Sequence, residues 1–269
     1  MPELPEIATR ARQMNAELSG KTISGIEVFQ SKCLNIPQDE FIQQLTGGKI
    51  GPVIYHGKWL FLSTSQGWLL LNLGMGGEIL LLNRSSLPEK HRLIFDFDDS
   101  TCLAVNFWWF GYAHYVAVDQ LQTHTMTAKL GPNAIDLDDA ALKKLFKGQR
   151  ARLKAFMLDQ TRMAGIGNAY IHDILFLAHL HPLRTIDSLK DDEIETLAKS
   201  IRDGLQPSLD KGGAFYEVDL HGQKGGFSMD DILIGYKENQ PCPNCATPIQ
   251  KIKTASTSSF ICPTCQPLG

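Results

Sequence analysis

Three groups of residues have types and spacings suited to chemistry. The first is a pair of Cys-x2-Cys turns, Cys242/Cys245 and Cys262/Cys265, with sixteen residues between them. Each turn offers two thiolates, and two such turns facing each other complete a closed tetrahedral site for one structural zinc. A redox pair or disulfides is the other reading of this spacing. Cys33 and Cys102 lack such partners and are expected as buried thiols. The second group is the opening run Met1-Pro2-Glu3-Leu4-Pro5-Glu6. Prolines suit the first turn of a helix, where carboxylates complement the dipole. Alternatively Met1 is removed, which a small second residue permits, and Pro2 becomes a free secondary amine. The third group is polar residues beside glycine. Lys58 follows Gly57 and precedes an apolar run. It is either an edge-strand lysine with its ammonium in water, or a cation aimed at a phosphate or reacting oxygen. Asn168 lies in the glycine turn 164–170, Ala-Gly-Ile-Gly-Asn-Ala-Tyr. Such a turn between helices presents N–H groups to a phosphate, although many helix pairs turn on glycine for packing alone.

The elements that must position these groups follow from periodicity. Ile7, Ala11, Met14 and Leu18 recur at helical spacing, with Gly20 as a stop. From Lys21 to about Val118, short apolar or alternating runs (22–29, 58–64, 68–73, 78–83, 92–97, 101–107) are separated by Gly, Asn, Asp and Ser. They predict a β-sandwich against which the first helix packs. A linker at 127–139 precedes helices over 138–148, capped by Asp138 or Asp139, and over 151–160, 168–180 and 190–205. The glycine-rich stretch 211–227 is expected as a mobile loop. A hairpin is expected between the cysteine pairs, its tip able to touch a phosphate backbone. The fold class is therefore α+β, with a β-sandwich domain over 1–125, a helical domain over 126–236 and a zinc finger over 237–269.

Composition is that of a globular chain: 269 residues, 43% hydrophobic and 20% charged. The start is acidic and broken by prolines, unlike a secretory signal, and no apolar run approaches the ~20 residues of a membrane helix. A cytoplasmic protein is expected, which disfavours structural disulfides. A net charge of -3 does not advertise a nucleic-acid partner, yet residues 143–154 hold six basic side chains and no acid. Taken alone, such a run is equally a solvated helix face.

In combination, Met-Pro-Glu-Leu-Pro-Glu, Gly-Lys before an apolar strand, Leu-Gly-Met-Gly-Gly (73–77), Gly-Ile-Gly-Asn-Ala-Tyr and the four-cysteine tail resemble the formamidopyrimidine-DNA glycosylase and endonuclease VIII family along essentially the whole chain. The resemblance implies a sandwich domain and a helical domain with a helix–two-turn–helix motif, joined by a hinge, with damaged DNA in the cleft. It implies a bifunctional DNA glycosylase and AP lyase of base excision repair, acting as a bacterial-type, nucleoid-associated monomer. Pro2 matches the nucleophile, whose attack on C1′ expels the damaged base and leaves an iminium. β-Elimination, and often δ-elimination, then cuts the strand. An α-amine, with a pKa of roughly 7.7–8.0, is partly unprotonated near neutrality, whereas lysine at ~10.4 is not. Glu3 matches the acid/base carboxylate, Glu6 the residue that holds Glu3 and the amine, and Lys58 the contact to phosphate and damaged base. His91, Lys154 and Asn168 match DNA-binding positions, and Met75 the side chain that fills the space left by a flipped nucleotide.

This sequence departs from the family pattern in three places. Trp108-Trp109-Phe110-Gly111 stands where Arg-Arg-Phe-Gly is common, so the arginine that pairs with the orphaned base is missing, while Phe110 remains as a wedge. Thr257 falls at the position of the phosphate-gripping arginine of the zinc hairpin. The 215–229 stretch has no match to the loop that covers oxidised guanine. A lyase acting mainly on abasic or single-stranded sites fits the lost arginines, and a non-catalytic binder of damaged DNA is a further alternative. The presence of Pro2, Glu3, Glu6 and Lys58 argues against the last.

Overall fold

Ile7, Ala11, Met14 and Leu18 share one buried face of helix α1, Leu4–Leu18, because residues three or four apart lie one above another. The computed structural model describes residues 1–268 apart from 109, 255 and 256. Two compact units emerge, one of residues 1–129 with 212–226, the other of 130–211 with 227–269.

In the first unit α1 leads into β1 (Ile23–Val28), helix α2 (Gln38–Leu45), β2 (Ile50–His56), β3 (Trp59–Thr64), β4 (Gly67–Asn72), β5 (Glu78–Asn83), β6 (Leu93–Phe97), β7 (Thr101–Asn106) and β8 (Tyr112–Val116). The strands form two antiparallel four-stranded sheets, in the orders β1-β6-β7-β5 and β2-β3-β4-β8. Leu60, Leu62, Leu69 and Leu71 of one sheet share a core with Leu93, Phe95, Leu103 and Val105 of the other and with the apolar face of α1. This is the expected sandwich. Its two unanticipated strands are both edges. β2 contains Pro52, and the register shifts between Ile50 and Val53. An edge position tolerates the missing N–H that a central strand needs.

The second unit contains α3 (Asp139–Phe146), α4 (Leu153–Leu158), α5 (Ile171–Leu177), α6 (Asp191–Asp210) and the hairpin strands β9 (Gln250–Thr254) and β10 (Thr257–Ile261). Asp138 is the cap of α3, its carboxylate accepting from the Ala141 N–H at 2.7 Å. Two helices are shorter than periodicity suggests. α4 stops where Asp159 accepts from the N–H of Thr161 at 3.0 Å, and residues 168–170 form a turn ahead of α5. α6 instead extends beyond Leu205 to Asp210, with Pro207 in its last turns. Leu142, Phe156, Ile174, Leu197 and Ile201 fill this unit's main core. The hairpin tip at 255–256 lies outside the described residues. No helix among the described residues is long and apolar enough to cross a membrane.

The glycine-rich stretch corrects the expectation of a mobile loop. Residues 212–226 are fastened along α1 of the first unit. Gln13 donates to Asp219 Oδ2 at 2.8 Å and accepts from the Leu220 N–H at 3.0 Å. Leu81 N–H donates to the Leu220 carbonyl at 2.9 Å, and Leu220 is fully buried. Its many polar groups find partners on the sandwich, which few short-range signals report.

Candidate active site

The N-terminal carboxylates meet the helix start. Pro2 is buried, and Glu3 and Glu6 are 4% and 3% exposed. Glu3 caps α1, and Glu6 at the third helical position accepts from the Glu3 N–H at 2.8 Å, in a capping-box arrangement. The other Glu6 oxygen accepts from the Ala214 N–H at 3.1 Å. Gly213, at φ +105, permits this approach: a Cβ there would lie 3.1 Å from Glu6 Cγ. The helix reading of the opening run is thereby met. Glu6 serves the helix, while Met1 projects outward at 48% exposure.

Arg10 was not singled out from sequence, although a cation on the apolar stripe between Ile7 and Met14 was a signal. It is 1% exposed, donates to Glu217 Oε2 at 3.3 Å and also donates to the Val218 carbonyl. Glu217 in turn lies 3.8 Å from the Met1 amine.

Lys58 occupies the two-residue turn Gly57-Lys58 between β2 and β3, closed by the His56–Trp59 pair and permitted by Gly57 at φ +57. It is thus at a hairpin tip rather than along a strand. Asn72, also missed from sequence, donates to the Lys58 carbonyl at 3.0 Å and accepts from the Gly74 N–H at 3.0 Å. One amide so joins the Lys58 turn to the loop carrying Met75. Met75, Trp108 and Phe110 are 50%, 69% and 70% exposed, and a Cβ on Gly76 would lie 3.3 Å from Trp108 Cγ. An apolar patch faces solvent beside a pocket of about 200 Å³ lined by Gln30, Lys32, Phe107 and Tyr112. Trp109 lies outside the described residues. His91 Nδ1–H donates to the Pro88 carbonyl at 2.8 Å, and its ring stands edge-on to Phe29 with centroids 4.8 Å apart.

In the second unit, Lys154 is 3% exposed. Its ammonium donates to the Ser258 carbonyl at 2.7 Å and to Ser259 Oγ at 2.8 Å, clamping α4 to the β9–β10 hairpin. Burial pushes its pKa down to about 8. Thr257 and Lys154 line one pocket of about 250 Å³ with Arg152 and Asp159. Asn168 donates to Tyr236 Oη at 3.4 Å, and that hydroxyl donates back to the Asn168 carbonyl at 3.3 Å. Asp173 on α5 fixes the turn at 233–235, accepting from the N–H groups of Leu233, Ile234 and Gly235 at 2.7, 3.0 and 2.9 Å.

The four cysteines converge as their spacing requires. All four sulfurs lie within 4.8 Å of one another, with contacts such as Cys242–Cys265 at 3.8 Å and Cys245–Cys262 at 3.4 Å. These separations suit a tetrahedron with ~2.3 Å zinc–sulfur bonds and are too long for disulfides. The donor set is complete, with no position left for a substrate, so the metal holds the hairpin rather than reacting.

Comparison with known proteins covers the same parts. Residues 1–106 match the formamidopyrimidine-DNA glycosylase N-terminal domain, 130–218 the formamidopyrimidine-DNA glycosylase H2TH domain, and 239–268 the zinc finger found in FPG and IleRS. The formamidopyrimidine-DNA glycosylase of Sodalis glossinidius is 32% identical, over 99% of this chain and 100% of its own. That of Chloroflexus aurantiacus is 33% identical, over 99% and 98%. Among solved structures, wild-type Lactococcus lactis Fpg with an N7-benzyl-Fapy-dG containing DNA superposes with a TM-score of 0.91 at 28% identity, over 99% and 100% of the two chains. The same protein with abasic-site DNA gives 0.90 at 28% identity, over 98% and 99%. With its three parts matched in order and its relatives matched end to end, this chain belongs to the formamidopyrimidine-DNA glycosylase family, as a DNA-repair glycosylase with AP lyase activity and one structural zinc site.

Proposed function

We propose that the chain excises ring-opened or otherwise oxidised bases through its Pro2 amine and then cleaves the abasic strand. The supporting observation is the pair of buried carboxylates, Glu3 and Glu6, ordered by one capping arrangement directly after Pro2. Once Met1 is removed, the Pro2 lone pair attacks C1′ of the damaged nucleotide. Glu3 supplies the proton that the opening sugar needs, and Glu6 keeps Glu3 in place. Loss of the base leaves an iminium between Pro2 and C1′. The iminium acidifies the C2′ proton, and its removal expels the 3′ phosphate. Lys58, at its hairpin tip, serves a phosphate or the damaged base. Met75 and Phe110 enter the stack where the nucleotide leaves. Asn168 and Tyr236 serve the phosphate backbone, as does His91, while Lys154 acts by holding the zinc hairpin and lines its basic side. We read residues 1–125, 126–236 and 237–269 as catalytic, helical and zinc-finger parts of a cytoplasmic, nucleoid-associated monomer. The relatives solved with Fapy-dG and abasic-site DNA support this substrate class.

The test is covalent trapping. Borohydride reduction in the presence of abasic DNA is expected to yield a stable adduct, with Met1 absent and the added mass on Pro2. Pro2→Gly is expected to weaken trapping by tenfold or more, and an uncleaved N-terminal tag to abolish it. An adduct on Lys58 when Pro2 is blocked would overturn the assignment. A second reading, a lyase working mainly on abasic or single-stranded DNA, is favoured by the exposure of Trp108 at an arginine position.

A further inference from the structure

Glu217 is 207 residues away from Arg10 in sequence, yet the two side chains are ion-paired and nearly buried, at 10% and 1% exposure. The second oxygen of Glu217 lies 3.8 Å from the Met1 amine. One carboxylate therefore stands between a buried guanidinium and the chain terminus. Arg10 Nη2 donates to Glu217, Nε and Nη1 make no hydrogen bond, and the Glu6 and Asp219 charges also act on the guanidinium. Burial pushes the Glu217 carboxyl up and the Arg10 guanidinium down, and each charge opposes the other's shift.

We propose that Glu217, backed by Arg10, is a positioning residue for the terminal amine, holding it and setting how tightly it keeps its proton. This rests on the reading of Pro2 as the nucleophile. When Met1 leaves, the amine moves one residue inward, less than about 4.3 Å along three backbone bonds. That keeps it within about 8 Å of Glu217, at a helix start where Glu6 accepts from the Glu3 and Ala214 N–H groups, Arg10 pairs with Glu217, and Asp219 is tied to Gln13. A carboxylate near an ammonium favours the charged form, and a cation behind that carboxylate offsets the effect. The pair thus balances an amine that must be held in place against one that must lose its proton to react. A buried ion pair alone is weak support for a function, since such pairs also serve structure. Its place 3.8 Å from the Met1 amine, one residue ahead of Pro2, is what distinguishes this one.

The experiment titrates Pro2 directly. In processed, 13C-proline-labelled protein, the Pro2 ring carbons are followed by NMR against pH without DNA, and borohydride trapping on abasic DNA is measured over the same range. Glu217→Gln is expected to lower the Pro2 midpoint by about half to one unit and to move the acidic limb of trapping equally. Arg10→Met is expected to raise both. Glu217→Asp, which keeps the charge, stays nearer the wild type than Glu217→Gln and serves if Arg10→Met does not fold. An unmoved midpoint in Glu217→Gln, or shifts of the same sign in Glu217→Gln and Arg10→Met, overturns the proposal and leaves a structural ion pair. If Pro2 titrates with these shifts while the adduct forms elsewhere, the nucleophile assignment fails and the Glu217 effect on the amine stands.

Discussion

At the scale of single residues, Trp108 carries the sharpest consequence for substrate choice. Its indole is 69% exposed and rests over Gly76 next to Met75. It is therefore not a core residue. An aromatic face stacks on any base for about 1–3 kcal/mol, whereas reading a base edge takes a bidentate donor such as arginine. Cleavage of one lesion opposite each of the four bases is thus expected to vary only a few-fold, with single strands and bubbles cleaved well. Trp108→Arg is expected to increase discrimination between opposite bases, and Trp108→Ala to weaken binding to single strands about tenfold. Cleavage assays at fixed salt check this; a strong opposite-base preference in the native chain, with single strands inert, would assign the reading to another residue.

At the scale of elements, the zinc hairpin depends on both its metal and a lysine. The four thiolates close the two turns, and Lys154 bonds Ser258 and Ser259 from α4. Thiolate ligation makes metal binding part of the folding free energy of the tail. Cys262→Ser is expected to release zinc, unfold residues 239–268, expose the Lys154 ammonium by removing its hairpin partners, and lower DNA affinity tenfold or more. All four tryptophans of the sequence fall within positions 1–129, and Trp59, Trp68 and Trp108 belong to the first unit. Its tryptophan-detected unfolding should therefore be unchanged in this variant. Metal analysis and urea titration decide the matter; full DNA affinity without zinc would contradict it. The cysteine spacing made the metal legible, because both ligand pairs are local. Lys154 was legible only as a basic residue, since its partners lie about a hundred positions away.

At the scale of the whole molecule, each unit buries neutral histidine. In the first, His114 Nδ1 and His124 Nε2 share a hydrogen bond of 2.8 Å, and His124 Nδ1 is 2.8 Å from Thr127 Oγ1. Burial, then the neighbouring His124, pushes His114 down to about 4. In the second unit His172, packed against Phe260 and Tyr236, is pushed down to about 3 by burial and then by Lys154. The unfolded chain takes up protons at these sites near ~6.5, where the folded chain does not. Their contribution to stability is thus complete above that pH and declines as the pH falls toward 4. A loss of roughly 1–2 kcal/mol per histidine by pH 5 is expected. His114→Gln should reduce the acid sensitivity of the tryptophan-detected transition, and His172→Gln that of zinc release. Urea midpoints at pH 7 and pH 5 test this, and equal acid sensitivity in variant and native chains would place the effect on other groups.

Local patterns in the residue order carried three features of the fold. The stripe Ile7, Ala11, Met14 and Leu18 specified α1, alternating runs specified six of the eight sandwich strands, and paired cysteines specified the zinc site. Each of these signals repeats or closes within a few residues, so the chemistry and the spacing are visible together. Tertiary structure alone decided that Glu217 meets Arg10, that Asn72 joins the Lys58 turn to the Met75 loop, and that Trp108 faces solvent. The physical reason is that a side chain's burial and partners depend on which distant surfaces the folded core brings against it, and no short window of sequence contains those surfaces.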